Sequence, residues 1–247
     1  MPASSSSSAS SPVIVIVHGA FHPPVFYQPL VGALQAPPHN YTVLAPALPT
    51  TGSDDSVTGK TYLDDVRQIH STLLPLLDAG RQAVLVCHSQ GGVAGSAAAE
   101  NQTVVDRNTR GLPGGIKAVV YISAFAFPEK GMSIIDFGPH YKLVAESAGD
   151  QFYNLLPKAE RDEMGRWLVH QSKASKNASA HFVAGDITVP KTYVVCTKDN
   201  VFPVPAQKAL AQASGCKIVE IESDHSPFCS EGPKSELLRV ISSAAQA

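Results

Sequence analysis

The sequence predicts an α/β fold: a mostly parallel six-stranded sheet flanked by helices. Three observations carry that prediction. Short β-branched apolar runs alternate with stretches of helical spacing through most of the 247 residues. The first run, Val13-Ile14-Val15-Ile16-Val17, is apolar at every position, as a strand covered on both faces of a parallel sheet must be. Further on, Cys87-His88-Ser89-Gln90-Gly91-Gly92 reads as a strand end, a sharp turn and a helix start.

The elements follow in order. After the first strand, Phe26, Leu30 and Leu34 have helical spacing, and Pro37 and Pro38 end that helix. Residues 41–44 form a second short strand, and 45–59 a turn-rich loop. From Thr61 the apolar positions Tyr62, Val66, Ile69, Leu73, Leu76 and Leu77 share one helical face. Thr61 is placed to cap this helix, with Asp64 where a capping box has Glu. Pro75 limits its last turn. Residues 83–87 are the third strand, and the helix after Gly91 runs towards Gln102. Residues 106–115 are expected to be a glycine-rich loop. The fourth, fifth and sixth strands fall at 117–123, 191–197 and 217–221, with helical patterns at 205–213 and 237–244.

The segment at about 125–188 breaks this rhythm, being too long for an ordinary crossover. It carries Phe137, Tyr141, Phe152, Tyr153, Trp167, His140, His170 and His181, and is expected to be a helical cap inserted into a single domain spanning 13–247. Residues 1–12 are mostly serine and alanine, cannot bury enough apolar area to fold, and are expected to be a disordered tail. They have no basic n-region, and no run in the chain approaches a membrane-spanning length. A cytoplasmic location is the expectation.

Composition narrows the function classes. The formal net charge is −2, and no lysine or arginine cluster points to a nucleic acid or membrane partner. The four cysteines, at 87, 196, 216 and 229, match neither a zinc site nor a disulfide framework. Nine histidines are present without HExxH or a compact ligand set, and no glycine-rich phosphate loop follows the first strand. Neither a metal nor a cofactor is expected.

The turn at Ser89 matches a nucleophile elbow, except that Cys87 stands where the first glycine is usual. A serine hydroxyl needs a base, and the base needs a group that fixes its tautomer. Parallel sheets present such groups beyond the C-terminal ends of their strands. Asp199 lies just past the fifth strand and His225 just past the sixth. Ser89, Asp199, His225 is therefore the expected triad. Asp224 is a rival acid, but neighbouring side chains diverge, and it suits an Asx turn better. Asp186 is a weaker rival. Backbone N–H groups of Ala20 and Gln90 are placed to form an oxyanion hole, where Gly19 permits a close approach. His88 is expected to point away from the reaction and tie loops together. His18 is expected to fix its loop, and His22 lies near enough to line a pocket.

At these residues the sequence resembles the α/β-hydrolase superfamily, and within it the small plant methyl esterases, the hydroxynitrile lyases and their microbial relatives. The resemblance rests on Val17-His18-Gly19-Ala20-Phe21-His22, the Ser89 turn, Thr192-Tyr193-Val194, Lys198-Asp199-Asn200 and Ser223-Asp224-His225-Ser226-Pro227-Phe228. Phe152-Tyr153-Asn154 and Gln171-Ser172 add to it. It covers nearly everything after the serine-rich tail. It implies six core parallel strands, a short helical cap between the fourth and fifth, and cofactor-free action on small esters, lactones, amides or C–C bonds.

The lyases of this group favour a threonine where this chain has Gly19, and a lysine where it has Ser226. Both departures favour an esterase or lactonase. Some relatives of the fold act instead as small-ligand receptors. The expected pocket draws on Phe21, His22, Phe125, Phe137, Tyr153, Trp167 and Phe228, and suits a compact ester or lactone. An exposed cap helix offers a surface through which a homodimer could form.

Overall fold

The computed structural model describes residues 11–137 and 148–247. The expected tail lies almost wholly outside the described residues, and so do His140 and Tyr141 of the expected cap.

The chain begins with β1 (Val13–Val17), α1 (Gln28–Gln35), β2 (Thr42–Leu44) and the two-residue β3 (Thr51–Gly52). It continues through α2 (Tyr62–Asp78), β4 (Gln82–His88), α3 (Gly91–Ala98), α4 (Val104–Thr109) and β5 (Gly115–Ile122). The segment that follows holds α5 (Ala148–Phe152), α6 (Lys158–Arg166), the two-residue β6 (His170–Gln171) and α7 (Lys173–Asn177). The last elements are β7 (Lys191–Cys196), α8 (Val204–Ala213), β8 (Lys217–Ile221) and α9 (Glu231–Gln246).

Six strands form one parallel sheet in the order β2-β1-β4-β5-β7-β8. The alternation of strand side chains sorts the core into two layers. Val13, Val15 and Val17 point to one face with Leu85, Cys87 and Tyr121, and pack on α2, α3 and α8 through Ile69, Leu73, Ala94, Ala97, Leu210 and Ala211. Ile14 and Ile16 point to the other with Val84, Val86 and Val120, and pack on α1 and α9 through Leu30, Leu34, Leu237 and Ile241. Each buried Val, Leu or Ile among them contributes about 1.5–3 kcal/mol by leaving water. This two-sided burial explains the unbroken apolar strands.

Local signals account for the ends of several elements. Thr61 caps α2 as expected: its Oγ accepts from Leu63 N–H at 3.3 Å, while its own N–H donates to Asp64 at 2.9 Å. Pro75 stands in the last turn of α2, which runs on to Asp78. Three elements differ most from expectation. The helix after the elbow stops at Ala98, and α4 takes up residues 106–109 of the expected loop. Thr103 sets α4, its hydroxyl accepting from Asp106 N–H at 3.1 Å. Helix α9 starts about two turns before its apolar spacing, because its first turns are mostly polar and face water.

The segment between β5 and β7 carries short helices, as expected there. It is stitched to the body by β6, which pairs antiparallel with β3 and sets Gln171 opposite Thr51. Among the described residues, no helix is long and apolar enough to cross a membrane.

Packing around the elbow demands glycine. A Cβ on Gly91 would stand 2.3 Å from the Val17 carbonyl oxygen, and one on Gly92 would stand 2.8 Å from that of Phe125. Gly91→Ala is expected to lower stability by about 1–3 kcal/mol through this overpacking. Gly32→Ala meets nothing within 4 Å and should be neutral or slightly stabilising. Urea midpoints of the two variants against the parent make the comparison. Equal midpoints for Gly91→Ala and the parent would refute the steric argument.

Candidate active site

Strand β4 delivers Ser89 at the edge of the sheet. Its φ is 51°, a left-handed conformation that costs about 1–3 kcal/mol for a residue with a side chain. Backbone hydrogen bonds hold the turn. Ser89 N–H donates to the Ile122 carbonyl at 3.1 Å, and the Ser89 carbonyl accepts from Gly92 at 3.0 Å and Phe125 at 3.0 Å. The departure at Cys87 is absorbed one helical turn on. A Cβ on Gly95 would lie 2.2 Å from the Cys87 sulfur, so the missing side chain of Gly95 makes room for the thiol.

His225 and Asp199 meet beneath this turn. His225 Nδ1 lies 2.7 Å from Asp199 Oδ2, with both side chains buried. The other carboxylate oxygen accepts from Val201 N–H at 2.7 Å and Phe202 N–H at 2.9 Å. Oδ2 also accepts from the Ser123 hydroxyl, and from Gln207 Nε2 at 3.3 Å. A carboxylate held this way accepts a hydrogen bond from Nδ1–H, which keeps the proton on Nδ1 and leaves Nε2 with a lone pair. His225 Nε2 is buried and has no hydrogen-bond partner among the described residues.

The rival acids are committed elsewhere. Asp224 accepts from Ser226 N–H at 3.1 Å, an Asx turn, and from Leu155 N–H at 3.1 Å. It thereby fastens the inserted segment to the histidine loop. Asp186 accepts from Val183 N–H at 3.1 Å and lies 3.7 Å from Lys130 Nζ.

Three other histidines are structural. His88 accepts from the Tyr27 hydroxyl at 2.7 Å and donates from Nε2 to the His225 carbonyl at 2.9 Å. Gly19 N–H donates to the same tyrosine oxygen at 2.9 Å, so one chain of bonds joins the first loop, the elbow and the histidine loop. His18 donates to the Gly19 carbonyl and accepts from Leu48 N–H, both at 3.0 Å. His22 donates to the Ala20 carbonyl at 2.6 Å and accepts from the Tyr153 hydroxyl at 2.7 Å.

Burial drives the pKa values of these rings down, against the smaller opposing effect of their backbone bonds. His18 falls to about 4, His22 to about 3, and His88 well below the usual value. A buried neutral histidine is protonated in the unfolded chain first. Its stabilising effect is complete above about pH 6.5 and is lost as pH falls towards the folded pKa. His18 alone should cost on the order of 3 kcal/mol between about pH 6.5 and 4, at ~1.4 kcal/mol per unit. Urea midpoints measured from pH 8 to 4 should decline below about 6.5. A flat profile would show that these rings are not buried neutral.

Of the residues expected at the oxyanion hole, Ala20 and Gln90 both border the opening beside Ser89. Among the described residues, neither backbone N–H donates to a protein acceptor. The Gln90 side chain turns away and donates to Ser175 Oγ at 2.7 Å.

The expected pocket is only partly assembled at this opening. Phe21 and Phe125 border it, with Phe152, Val201 and Lys176, which sequence reasoning did not assign to it. His22 and Tyr153 lie behind it, bonded to each other. Phe137 packs behind Phe125, with ring centroids 5.6 Å apart. Phe228 is buried against Tyr27 at 4.4 Å. Trp167 is 62% exposed and lines a separate surface groove with Val25 and Met164, because α6 carries it on an outer edge. Among the described residues, no His, Cys, Asp or Glu cluster could hold a metal ion. All four cysteines are free.

Ser123 and Gln207 escaped notice in the sequence. Ser123 ends the fourth predicted strand, and the strand-end rule that found Asp199 applies to it equally. Gln207 is a polar residue on the buried face of α8. It brackets the acid loop through Cys196 N–H at 3.0 Å and the Phe202 carbonyl at 2.7 Å.

A six-stranded parallel sheet with a left-handed serine turn after its central strand defines the α/β-hydrolase fold. The chain belongs to the alpha/beta hydrolase family, whose family model matches residues 14–229. It is similar to the alpha/beta hydrolase nvfD of Aspergillus novofumigatus, 28% identical with 95% of this chain and 96% of that one covered. It is also similar to Methylesterase 7 of Arabidopsis thaliana, 24% identical with 88% and 90% covered. Among solved structures, polyneuridine aldehyde esterase superposes with a TM-score of 0.73 at 19% identity, covering 94% of this chain and 100% of that one. A pyrethroid hydrolase from Sphingobium faniae gives 0.71 at 20% identity, covering 96% and 98%. Membership of this family supports a hydrolase as the general class of the protein.

Proposed function

We propose that the protein is a cofactor-independent serine hydrolase that cleaves a small carboxylic ester or lactone through an acyl-enzyme. The observation that carries this reading is the buried Asp199–His225 pair, whose Nε2 has no partner among the described residues, with the His225 carbonyl bonded to His88, the neighbour of a serine on a left-handed turn. Ser89 attacks the carbonyl while His225 Nε2 takes its proton. Asp199 keeps the imidazole oriented and stabilises its cationic form. The carbonyl oxygen gathers negative charge facing the Ala20 and Gln90 N–H groups, which among the described residues have no other partner to leave. His225 then protonates the leaving alcohol, and water repeats the steps on the acyl-enzyme. The segment between β5 and β7 acts as the cap, bringing Phe152 and Lys176 over Ser89. The similarity to proteins named as a methylesterase, a polyneuridine aldehyde esterase and a pyrethroid hydrolase supports ester cleavage.

A cyanohydrin lyase fits less well. A Cβ on Gly19 would stand 2.9 Å from His88 Nδ1 and 3.0 Å from Ser89 Cβ, so the elbow leaves little room for threonine. Ser226 is fully buried and offers no cation beside the histidine. The test is a panel of p-nitrophenyl esters, lactones and mandelonitrile, with fluorophosphonate labelling mapped by peptide mass. Ester or lactone turnover with the label on Ser89 is expected. Cyanide release without ester cleavage would reverse the assignment.

A further inference from the structure

The opening beside Ser89 is walled mostly by apolar groups, and Lys176 is the one residue with a formally charged side chain among its described lining. That lysine is half-buried on α7, with Nζ 4.8 Å from the centre of the Phe21 ring. Burial lowers its pKa, and no carboxylate among the described residues opposes that effect. A half-buried ammonium with no carboxylate partner among the described residues carries a desolvation cost, so its place in a substrate opening calls for a functional account.

The helix that bears it is not loose. The neighbouring Ser175 hydroxyl accepts from Gln90 Nε2 at 2.7 Å and from Gln171 Nε2 at 3.0 Å, and donates to the Ser172 carbonyl at 2.7 Å. Ser172 is held in turn by the Thr50 and Lys60 carbonyls, at 2.8 and 2.6 Å. The residue whose backbone faces the reacting carbonyl thus fixes, through its side chain, the helix that presents the lysine. The distance between cation and scissile bond is built in.

We propose that Lys176 pairs with an anionic group remote from the scissile bond, so that the preferred substrate is an ester or lactone that also carries a carboxylate. The aromatic face of Phe21 steadies the ammonium before the substrate arrives, and the apolar walls keep the pair poorly solvated. This rests on the reading of Ser89 as nucleophile, and the test separates the two.

Binding is measured by calorimetry on Ser89→Ala, with the monomethyl and dimethyl esters of dicarboxylic acids from malonic to adipic. At the best chain length the half-ester should bind about tenfold tighter than the diester, as expected for a close, partly desolvated charge pair. Adding Lys176→Met should bring that ratio close to one. Lys176→Arg should keep most of it, Lys176→Glu should invert it, and the exposed Lys173→Met should not change it. Fluorophosphonate labelling of the otherwise unaltered enzyme reports on Ser89 separately. Charge preference without labelling upholds the lysine site and overturns the serine reading. Labelling without charge preference at any length, or a ratio indifferent to Lys176→Met, overturns the lysine site. Equal loss of half-ester and diester binding in Lys176→Met also overturns it.

Discussion

Ser89→Ala is expected to remove ester turnover by a factor of roughly 10⁶, the scale for loss of a nucleophile in a serine triad. The variant should fold like the parent. Alanine keeps the Cβ, so the left-handed turn carries about the same strain, and the bonds to Ile122, Gly92 and Phe125 use only the backbone of residue 89. Loss of activity with an unchanged urea midpoint therefore isolates the hydroxyl. Rapid quench with p-nitrophenyl acetate should show a burst in the parent and none in the variant. A persistent burst would mean that another group attacks, and the proposed cycle would fall.

Asp199→Asn is expected to lower kcat/KM by about 10⁴-fold, the scale for loss of a triad acid. The surroundings of this carboxylate say why an isosteric change is so damaging. Val201 and Phe202 both present N–H groups to Oδ1, so the amide oxygen of an asparagine belongs there. Its NH₂ must then face His225 Nδ1, Ser123 and Gln207. A donor opposite Nδ1 selects the tautomer with its proton on Nε2. That nitrogen can no longer accept a proton from Ser89. Turnover within tenfold of the parent, in a variant with parental thermal unfolding, would show that another acid orients His225.

Much of the fold could be read before any coordinates. Short, largely apolar runs marked all six main-sheet strands; β1 is unbroken because it is covered on both faces, whereas the edge strands β2 and β8 keep exposed polar residues such as Thr42 and Glu220. Short polar elements were harder. Helix α4 has little apolar periodicity and is announced only by Thr103 and Asp106, and the early turns of α9 face solvent. In the candidate site, Ser89, Asp199 and His225 were visible because each follows a strand end. Ser123 also stands at a strand end, but a second serine fills neither the role of acid nor that of base, and Gln207, an amide on a helix, has no pattern until its partner is known. Lys176 was equally silent: it is one lysine in a polar stretch, and only the fold carries it to the serine.

The order of strands and helices and the glycines of the elbow were determined by the sequence alone, since both follow from local periodicity and backbone sterics. The same local logic put a serine, an acid and a histidine at the ends of strands β4, β7 and β8. Tertiary structure decided which acid meets the histidine: Asp199 and Asp224 are equally near strand ends, but Asp199 sets an oxygen against His225 Nδ1, while the two oxygens of Asp224 accept from Ser226 and Leu155 N–H. It also decided that Cys87 can stand in the elbow, with Gly95 opposite its sulfur. It placed Phe152 and Lys176 over Ser89 and left Trp167 on the surface. Those outcomes depend on distances between residues far apart in the chain, which no periodicity encodes.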